Sequence, residues 1–453
     1  MTTNDDGEVR EIYSEILARA PEHQPQPSLE RVRHALDLLG DPQRAYQVVQ
    51  ITGTNGKTST ARMIEALVRE SGLRTGRFTS PHLHTVRERI ALDGDPISPE
   101  RFVETYRDVE PYIAMADEKS QAEGGPRLSF FEVYTVMAYA AFADAPVDVA
   151  IVEVGMGGRW DSTNVADGVV EVIGRVERDH TRWLGHTLTE IASEKAGIIS
   201  DNATVVVAEQ HEEAGEIILS AAAQHGARLL RAGQELEVAD RQIAVGGQLL
   251  TLRTPVAVYA DIFLPLHGAH QAQNALLALA AAEALLGGRS LSGEVVEKAF
   301  ASVSSPGRME MVRNSPAILL DAAHNPAGAA ALREAVEEAF AFDRLVGVVG
   351  IMRDKEAEAI LAELEPVLDE VVVTEALDQR AMPADELAEI ARDVFGEDRV
   401  YLAPRLDDAI DQAVGRAEVG TDIAGQAATG TGVLIAGSVL LAADARTLLG
   451  KKD

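Results

Sequence analysis

The chain contains no cysteine, which excludes disulfide bonds, thiolate metal sites and a cysteine nucleophile and fits a reducing cytoplasm. It also has no uninterrupted apolar run long enough to span a bilayer, because stretches such as 275–286 are too short. Residues 1–6 are acidic and polar, unlike a signal peptide. Together these absences predict a soluble, cytoplasmic protein.

Positive charge is also scarce. The chain has 41 Lys and Arg against 72 Asp and Glu, a net charge of −31, which argues against nucleic acid or an anionic membrane as a partner. A chain that uses arginine so heavily keeps lysine where an ammonium or amine is needed, although compositional drift alone could leave a few lysines anywhere. The lysines are Lys57, Lys119, Lys195, Lys298, Lys355, Lys451 and Lys452.

The length of 453 residues is too great for one hydrophobic core and predicts two or three domains. Strand-like and helix-like patterns alternate in the first part, which favours a mostly parallel sheet with helices on both faces. A β-rich excursion interrupts this alternation at 235–264. The predicted strands are 46–52, 74–80, 147–154, 170–176 and 204–208, and the predicted helices include 99–116, 131–142, 188–198, 269–286 and 292–302.

The run Ser304-Ser305-Pro306-Gly307 punctuates the chain and predicts a domain boundary. We expect a first domain at 1–303, a linker at 304–307 and a second domain at 308–453, with ligands in the crevice between the domains. The α/β alternation restarts after the linker, and 423–431 is predicted to be a loop. The predicted strands there are 317–320, 345–349, 370–374, 400–402 and 432–436, and the helices are 327–340, 356–364, 384–394 and 406–417.

The strongest motif is Gly53-Thr54-Asn55-Gly56-Lys57-Thr58, which follows a β-branched run and opens a helical pattern. Such a turn lets backbone N–H groups and a helix N-terminus surround a polyphosphate. Lys57 would neutralise β- and γ-phosphate oxygens, and the Thr58 hydroxyl would lie near Mg²⁺. The loop is shorter than G-x-x-x-x-G-K-[ST], whose first glycine position is Ile51 here. A chance match at a surface turn is the alternative, but the flanking strand and helix predict nucleoside triphosphate binding.

A second motif follows the predicted strand 147–154, which would deliver Glu153 at its carboxyl end, where α/β proteins bind ligands. The run Gly155-Met156-Gly157-Gly158 would let the backbone approach a ligand closely. Glu153 is a hard oxygen donor suited to Mg²⁺. An ordinary turn is the alternative.

Two further residues stand near predicted strand and helix ends. Asp179-His180 follows the strand 170–176, and His180 would contact a metal or phosphate unless it is a structural hydrogen-bond donor. Lys195 shares a helix face with Ile191, so its side chain would point inward, unless it extends to solvent. A partly buried lysine has a depressed pKa and can act as an amine nucleophile or carry a carbamate.

In the second domain, Asp321 ends a predicted strand and Asn325 precedes a helix with Pro326 in its first turn. Capping of the helix N-terminus explains Asn325. It does not explain why Asp321 and His324 occur together, in the same predicted crevice as Arg308. These residues are therefore candidates for a ligand site.

Taken in order, these motifs resemble the folylpolyglutamate synthase/dihydrofolate synthase family, within the Mur-ligase type of ATP-dependent amide ligases. The Ser80-Pro81-His82-Leu83 element separates the folate branch from other Mur ligases. The matching segments are 51–59, 79–83, 88–90, 153–164, 179–180, 193–197, 270–274, 306–308 and 321–326. The resemblance implies an N-terminal P-loop-containing Mur-ligase-like ATPase domain with a parallel central sheet, and a smaller C-terminal Rossmann-like α/β domain.

The resemblance also implies roles for single residues. It implies two Mg²⁺ ions, with Lys195 carbamylated so that its new carboxylate holds a metal. It implies ATP contacts from Gly53, Thr54, Asn55, Gly56, Lys57, Thr58, Asn274, Arg308 and Asp321. It implies metal ligands Ser80, Glu153, His180 and Lys195, pterin contacts from Phe130, Phe131 and Asp161, and His324 beside the incoming glutamate.

The reaction so implied activates the carboxylate of a folate or of dihydropteroate as an acyl phosphate, which the amine of L-glutamate then attacks. The two domains would close over ATP, and the resemblance implies a monomer. Several alternatives stay open. One is a dihydrofolate synthase with that activity alone, and another is a Mur ligase for a peptidoglycan precursor, disfavoured by the element at 80–83 and the lack of a UDP-binding N-terminal domain. The others are a P-loop NTPase switch or kinase and a catalytically silent scaffold.

Overall fold

A computed structural model of the chain describes residues 5–24, 26–418 and 430–451. The chain divides into two compact units. The first unit comprises Met1–Gln242, Leu249–Leu264 and Ala272–Val303, and the second comprises Ile243–Gln248, Pro265–Gln271 and Ser304–Asp453. Two short segments that the sequence assigns to the first domain thus group with the second unit. The loop predicted at 423–431 lies outside the described residues as far as 429.

The first unit is built on an eight-stranded sheet in the order β4-β3-β2-β5-β1-β6-β7-β8. Only β3 and β4 pair antiparallel to their neighbours. The strands are β1 (Gln47–Thr52), β2 (Thr75–Phe78), β3 (Ile90–Leu92), β4 (Asp95–Pro96), β5 (Val149–Glu153), β6 (Val170–Ile173), β7 (Thr204–Val207) and β8 (Arg228–Arg231). The predicted β-rich excursion forms a separate three-stranded sheet of β9 (Glu237–Ala244), β10 (Gly247–Arg253) and β11 (Val258–Leu264).

Helices connect these strands. Within the described residues, none of the helices is both long and apolar enough to cross a membrane. The helices are α1 (Asp5–Leu17), α2 (Glu30–Leu38), α3 (Lys57–Glu70), α4 (Pro99–Ala122), α5 (Phe130–Asp144), α6 (Thr181–Leu184), α7 (Leu188–Ala196), α8 (Glu212–Gln224), α9 (Ala269–Leu285) and α10 (Gly293–Ala301).

The central strand β1 lies between β5 and β6 and sets the position of the site. Ile51 is in register with Glu153 of β5, and Thr52 is in register with Ile173 of β6. Because parallel strands in register end at the same edge, the chain segments that follow β1, β5 and β6 emerge side by side. Each of the motifs containing Gly53, Glu153 and His180 therefore starts from this edge.

The second unit is a doubly wound α/β fold with strand order β12-β13-β17-β14-β15-β16. Successive residues of β13 lie on opposite faces of the sheet. Leu319 packs with α11, α12 and α13, whereas Ile318 and Leu320 pack with α14 and α15. This confirms the predicted two-domain α/β fold class. The elements are β12 (Glu310–Asn314), β13 (Ala317–Leu320), α11 (Pro326–Ala339), β14 (Arg344–Val349), α12 (Ala357–Leu364), β15 (Glu370–Val373), α13 (Ala384–Phe395), β16 (Val400–Leu402), α14 (Leu406–Ala417), β17 (Thr431–Ala436) and α15 (Val439–Leu448).

A buried ion pair fastens α3 to β2. The Arg77 Nε donates to Glu65 Oε2 at 2.6 Å, and both side chains are nearly inaccessible to solvent. Arg77 also donates to the Thr79 hydroxyl at 3.2 Å, just before Ser80. The pair therefore joins the helix that follows the glycine-rich loop to the strand that leads to Ser80.

Replacing Glu65 with Gln should lower the free energy of unfolding by about 3 kcal/mol, because Arg77 would keep a buried charge without its counter-ion. Urea titration followed by far-UV circular dichroism would measure this change. In the control Glu123→Gln, an exposed pair with Lys119 is broken and the change should stay within about 0.5 kcal/mol. Equal effects of the two substitutions would contradict the assignment of a structural role to the buried pair.

A second buried carboxyl group lies in β6. Glu171 accepts a hydrogen bond from the Ser200 N–H at 2.7 Å through Oε1, and within the described residues its Oε2 has no partner. Burial raises the pKa of Glu171 from 4.5 to about 8. The folded protein thus retains a proton that the unfolded chain releases. The stability linked to this proton is fully present below the unfolded pKa and is lost as the pH rises through about 8.

Glu171→Gln should therefore gain stability relative to the native chain as the pH is raised from 5 to 9, by on the order of 2 kcal/mol or more. Urea unfolding of both proteins across this pH range would measure the difference. Glu213→Gln, at an exposed position of α8, is the matched control. A difference between native and Glu171→Gln proteins that does not vary with pH would show that Glu171 is ionised in the folded state.

Candidate active site

The loop between β1 and α3 is shaped by glycines that no other residue could replace without strain. Gly53 has φ +154°, and a Cβ there would lie 3.1 Å from the Cα of Gly174. Gly56 has φ +79°, and a Cβ there would lie 2.6 Å from the side-chain oxygen of Asn274. The structure therefore brings Asn274 against the loop, next to the start of α3.

The segment after β6 supports this loop from behind. The Thr54 N–H donates to the Arg175 carbonyl at 3.1 Å. The Thr54 hydroxyl donates to the Glu177 carbonyl at 3.0 Å and accepts from the Glu177 N–H at 2.9 Å. Since Thr54 is held through both its backbone and its side chain, the loop conformation is fixed from the next strand.

Two lysines meet at one carbonyl oxygen of the loop. Gly53 O accepts from Lys57 Nζ at 3.1 Å and from Lys195 Nζ at 2.9 Å; Lys57 also donates to Thr54 O at 3.2 Å. Lys195 comes from α7 and is buried, so the structure places its side chain inward as predicted. Burial, together with the nearby charge of Lys57, lowers the pKa of Lys195 to about 7. Positive charge is thus concentrated beside the loop despite the net charge of the chain.

An acidic side chain lies at the start of α3, next to the loop. The Thr58 hydroxyl lies 3.0 and 2.9 Å from the two carboxylate oxygens of Glu153, and Glu153 is buried at the end of β5. Within the described residues, no group of three or more His, Asp or Glu side chains could hold a metal ion. One carboxylate and one hydroxyl nevertheless suit Mg²⁺, which commonly takes few protein oxygens and fills its octahedron with phosphate and water.

A small open cleft lies beside the loop and the two lysines. Of the predicted site residues, Gly53, Thr54, Lys57, His180 and Lys195 line it. The complete lining is Thr52, Gly53, Thr54, Lys57, Val154, Gly155, Met156, Gly157, Asp179, His180, Leu184 and Lys195.

Two predicted metal ligands stand at the same edge of the sheet. Ser80 is buried and follows β2, whose Phe78 is in register with Val152 of β5. His180 has φ +51°, its N–H donates to Asp179 Oδ1 at 2.7 Å, and its Nε2 lies 3.9 Å from Asp179 Oδ2. Their assignment as ligands stays a prediction.

Asp161 organises the glycine-rich segment that follows β5. Its Oδ2 accepts from the Met156 N–H at 2.9 Å, and its Oδ1 accepts from the Thr163 N–H and hydroxyl at 3.0 and 2.6 Å. The Thr163 hydroxyl in turn accepts from Gln50 Nε2 at 3.1 Å. Burial raises the pKa of Asp161 above its usual value, although these hydrogen bonds act in the opposite direction. A chain of hydrogen bonds thus connects β1 to Met156 in the cleft.

The predicted pterin-contacting rings lie in the core beside this segment. Phe131 packs on Phe78 with ring centroids 5.5 Å apart, and a Cβ on Gly155 would overlap the Phe131 ring. Phe130 faces the guanidinium of Arg89 at 5.0 Å. Both predicted rings are largely buried, so the structure brings Phe131 and Asp161 together next to Gly155.

The predicted residues of the second unit form a separate arrangement around β13. Asp321 accepts from the Met309 N–H at 2.8 Å and from the Ala323 N–H at 2.7 Å, and burial raises its pKa while Arg308 lowers it. Asp321 therefore fixes the backbone turn that carries Arg308. His324 Nδ1 lies 2.9 Å from the Ala322 carbonyl, so Nδ1 carries a proton. Asn325 caps α11 by accepting from the Gly328 N–H at 2.8 Å.

Sequence reasoning did not single out Gln50 or assign a role to Arg89. Gln50 is a fully buried polar residue between the apolar residues Val49 and Ile51, and a polar residue at that position is the signal that could have identified it. Arg89 stands in a motif of the resemblance, but its partners Glu22 and Phe130 are distant along the chain, so local patterns do not reveal them.

Asp161→Asn should weaken ADP binding about tenfold, because an amide NH₂ cannot accept from both Met156 and Thr163 and the cleft segment would shift. Isothermal titration calorimetry would measure the dissociation constant. Asp167→Asn, at an exposed position nearby, is the control and should bind as the native chain does. Unchanged ADP affinity with weakened pterin affinity would instead assign Asp161 to the pterin alone.

Comparisons with known proteins agree with this geometry. Residues 51–282 match the family model "Mur ligase middle domain", and residues 307–439 match "Mur ligase, glutamate ligase domain". The chain is 51% identical over 448 residues to a Mycobacterium tuberculosis protein named dihydrofolate synthase/folylpolyglutamate synthase, covering 96% of this chain and 92% of that protein.

Solved structures give the same result. A Mycobacterium tuberculosis folylpolyglutamate synthase complexed with ADP and AMPPCP superposes with a TM-score of 0.93 at 48% identity, covering 99% of each chain. E. coli FolC in complex with DHPP and ADP superposes with a TM-score of 0.82 at 27% identity, covering 97% of each chain. The chain therefore belongs to the folylpolyglutamate synthase/dihydrofolate synthase family of the Mur ligases, an enzyme family of ATP-dependent ligases.

Proposed function

We propose that this enzyme forms an amide bond between L-glutamate and the carboxylate of a pteroyl substrate, accepting both dihydropteroate and reduced folates. The observation that carries the proposal is the meeting of Lys57, Lys195 and the Thr58–Glu153 pair at the glycine-rich loop. Relatives named for both activities support the double specificity.

The first step transfers the γ-phosphoryl group. A carboxylate oxygen of the pteroyl substrate attacks the γ-phosphorus, the bond to the β–γ bridging oxygen breaks, and ADP leaves. Lys57 is placed to contact the phosphate groups, since its Nζ lies at the glycine-rich loop itself, where it donates to the carbonyls of Gly53 and Thr54. Positioned charge of this kind is the main source of catalysis in phosphoryl transfer.

Magnesium belongs to this step. Ser80, Glu153 and His180 would ligate Mg²⁺, with the Thr58 hydroxyl near the ion, and a carbamate on Lys195 would hold a second ion. The ions supply neutralisation of the charge that develops on the phosphoryl oxygens. Thr58 and Glu153 are already within hydrogen-bond distance of each other, so their side chains would need to move little to lie beside the same ion.

The second step forms the amide. The amine of L-glutamate attacks the acyl phosphate carbon, the tetrahedral intermediate releases inorganic phosphate, and the amine loses a proton. In the proposal His324 lies by the incoming glutamate, and Arg308, Asp321 and Asn274 contact the nucleotide. The proton on His324 Nδ1 is committed to the Ala322 carbonyl, which leaves Nε2 as the ring nitrogen that faces other groups.

Carbamylation of Lys195 is part of the proposal. The buried Lys195 amine shares a carbonyl with Lys57, and two neighbouring ammonium groups repel each other. Addition of CO₂ to the neutral amine forms an N–C bond, releases a proton and leaves a carboxylate. Repulsion between the two side chains then becomes attraction, and an anionic oxygen ligand is gained for Mg²⁺.

The defining assay measures phosphate release from Mg-ATP with L-glutamate, using dihydropteroate or tetrahydrofolate as acceptor. We expect glutamate-dependent turnover with both acceptors. Turnover with dihydropteroate alone would reduce the function to dihydrofolate synthase. Phosphate release that ignores glutamate and both pterins would replace the ligase with an NTPase.

Lys195→Ala should lower turnover on the order of 100-fold, and added acetate should restore part of it by supplying a carboxylate in the vacated space. Lys119→Ala, at an exposed lysine, is the control. Carbon-13 NMR of the native enzyme equilibrated with labelled bicarbonate should show a carbamate signal that is absent from Lys195→Ala. Native enzyme without this signal would contradict the carbamate.

A further inference from the structure

Arg89 joins three separate parts of the first unit with one guanidinium group. Its side chain is only 3% exposed, and it follows the loop at 79–85 that contains Ser80. Its nitrogen atoms contact Glu22 and His82, and its plane faces the rings of Phe130 and Tyr134. The mechanism proposed above assigns nothing to it.

The contact with Glu22 holds the segment that follows α1. Arg89 donates to both carboxylate oxygens of Glu22, at 2.9 and 3.4 Å. The same segment is fastened to the start of α5, where the Phe130 N–H donates to the Ala20 carbonyl at 2.9 Å. Arg19 adds hydrogen bonds to Asp117 at 2.9 Å and to the Leu128 carbonyl at 3.0 Å. The N-terminal segment is thus attached beside Phe130.

The contact with His82 fixes the state of that ring. The Arg89 Nε donates to His82 Nδ1 at 2.9 Å. A guanidinium nitrogen can only donate, so Nδ1 must accept and the ring hydrogen lies on Nε2. Tyr13 packs edge-on against the His82 ring at 5.8 Å and against Phe130 at 6.2 Å. The His82 ring is therefore fixed in orientation as well as in tautomer.

The neighbouring residue Glu88 completes the arrangement. Its carboxylate accepts three backbone N–H groups, from Leu83 at 2.9 Å, His84 at 2.9 Å and Thr85 at 2.6 Å. The Arg89 carbonyl accepts from the Thr79 N–H at 3.0 Å. Both ends of the loop at 79–85 are therefore hydrogen-bonded to residues 88 and 89. The Arg89 side chain also contacts Phe130, so it connects this loop to that ring.

We propose that Arg89 is a positioning residue for the acceptor side of the site, holding the Ser80 loop, the Phe130 ring and the N-terminal segment in one fixed arrangement. The proposal that this side receives the pteroyl group rests on the function proposed above. Arg89 would act on the pteroyl substrate through His82 and Phe130. The conformation of the nucleotide loop at 53–58 would not depend on Arg89.

Arg89→Met removes the fork while keeping an apolar stem against the rings. We expect the dissociation constant of dihydropteroate, measured by isothermal titration calorimetry, to rise about tenfold. The dissociation constant of ADP should stay unchanged when it is measured without Mg²⁺, because Ser80, a proposed metal ligand, lies in the same loop. Arg87→Met is the matched control, because Arg87 lies two residues before Arg89 and its guanidinium donates to the Ile97 carbonyl at 2.8 Å. A general loss of structure would weaken both ligands, so an equal change for dihydropteroate and ADP would overturn the proposal.

A pair of substitutions at His82 tests the same connection. Asn places a side-chain oxygen near the position of Nδ1 and can accept from Arg89, whereas Ala cannot. His82→Ala should reproduce the loss of dihydropteroate affinity, and His82→Asn should restore much of it. Loss of affinity to the same extent in both variants would show that Arg89 does not act through this hydrogen bond.

Hydrogen exchange separates the positioning role from the identity of the ligand. In ligand-free Arg89→Met, amide exchange should accelerate in residues 18–24 and 79–85 and stay unchanged in 53–58. If native enzyme fails to bind dihydropteroate while this exchange pattern appears, the proposed function is wrong and the positioning role stands. If dihydropteroate binds and exchange at 79–85 is unaffected by the substitution, the positioning role is wrong.

Discussion

The site depends on one carbonyl oxygen, Gly53 O, to which two lysine ammonium groups donate. The chain has a net charge of −31, so an anionic nucleotide can be held only where positive charge is locally concentrated and partly shielded from solvent. Sharing one acceptor brings Lys57 and Lys195 together, although they come from α3 and α7. The same closeness makes two full positive charges costly, and this is why a carbamate on Lys195 would relieve the arrangement rather than disturb it.

The sheet makes this meeting possible. Register between Ile51 and Glu153, and between Thr52 and Ile173, places three chain segments at one edge. Polar side chains then lock these segments to each other: Thr54 is held by the segment after β6, and Asp161 holds the one after β5. The cleft is therefore preorganised by hydrogen bonds within the first unit, and electrostatic stabilisation by the chain needs little rearrangement of its backbone.

Sequence patterns were sufficient for the strands β1, β5 and β6, which lead to the site, because these strands are rich in β-branched residues and are followed by glycine. Among the elements that the sequence patterns missed are α1, α2 and the short strands β3 and β4. Helix α1, for example, buries Val9, Ile12 and Ile16, but most of its other residues are charged or polar. Helical spacing left two alternatives for Lys195, an inward side chain or one that extends to solvent, and the structure shows that the side chain is buried. The hydrogen bond from Gln50 to Thr163 and the ion pair of Arg89 with Glu22 could not be predicted, because each joins residues far apart in the chain.

The Mur ligase middle-domain model covers the nucleotide site of this chain but not its N-terminal segment. The nucleotide loop, Glu153 and Lys195 all lie within residues 51–282, the range shared with Mur ligases in general. The N-terminal segment that carries Tyr13 and Glu22 lies outside it, yet it packs on His82, Arg89 and Phe130. Ligases that share nucleotide chemistry but differ in acceptor need a common phosphate site and a variable acceptor side. Arg89 joins the N-terminal segment to the shared core. A change in that segment would therefore alter the acceptor side through Arg89.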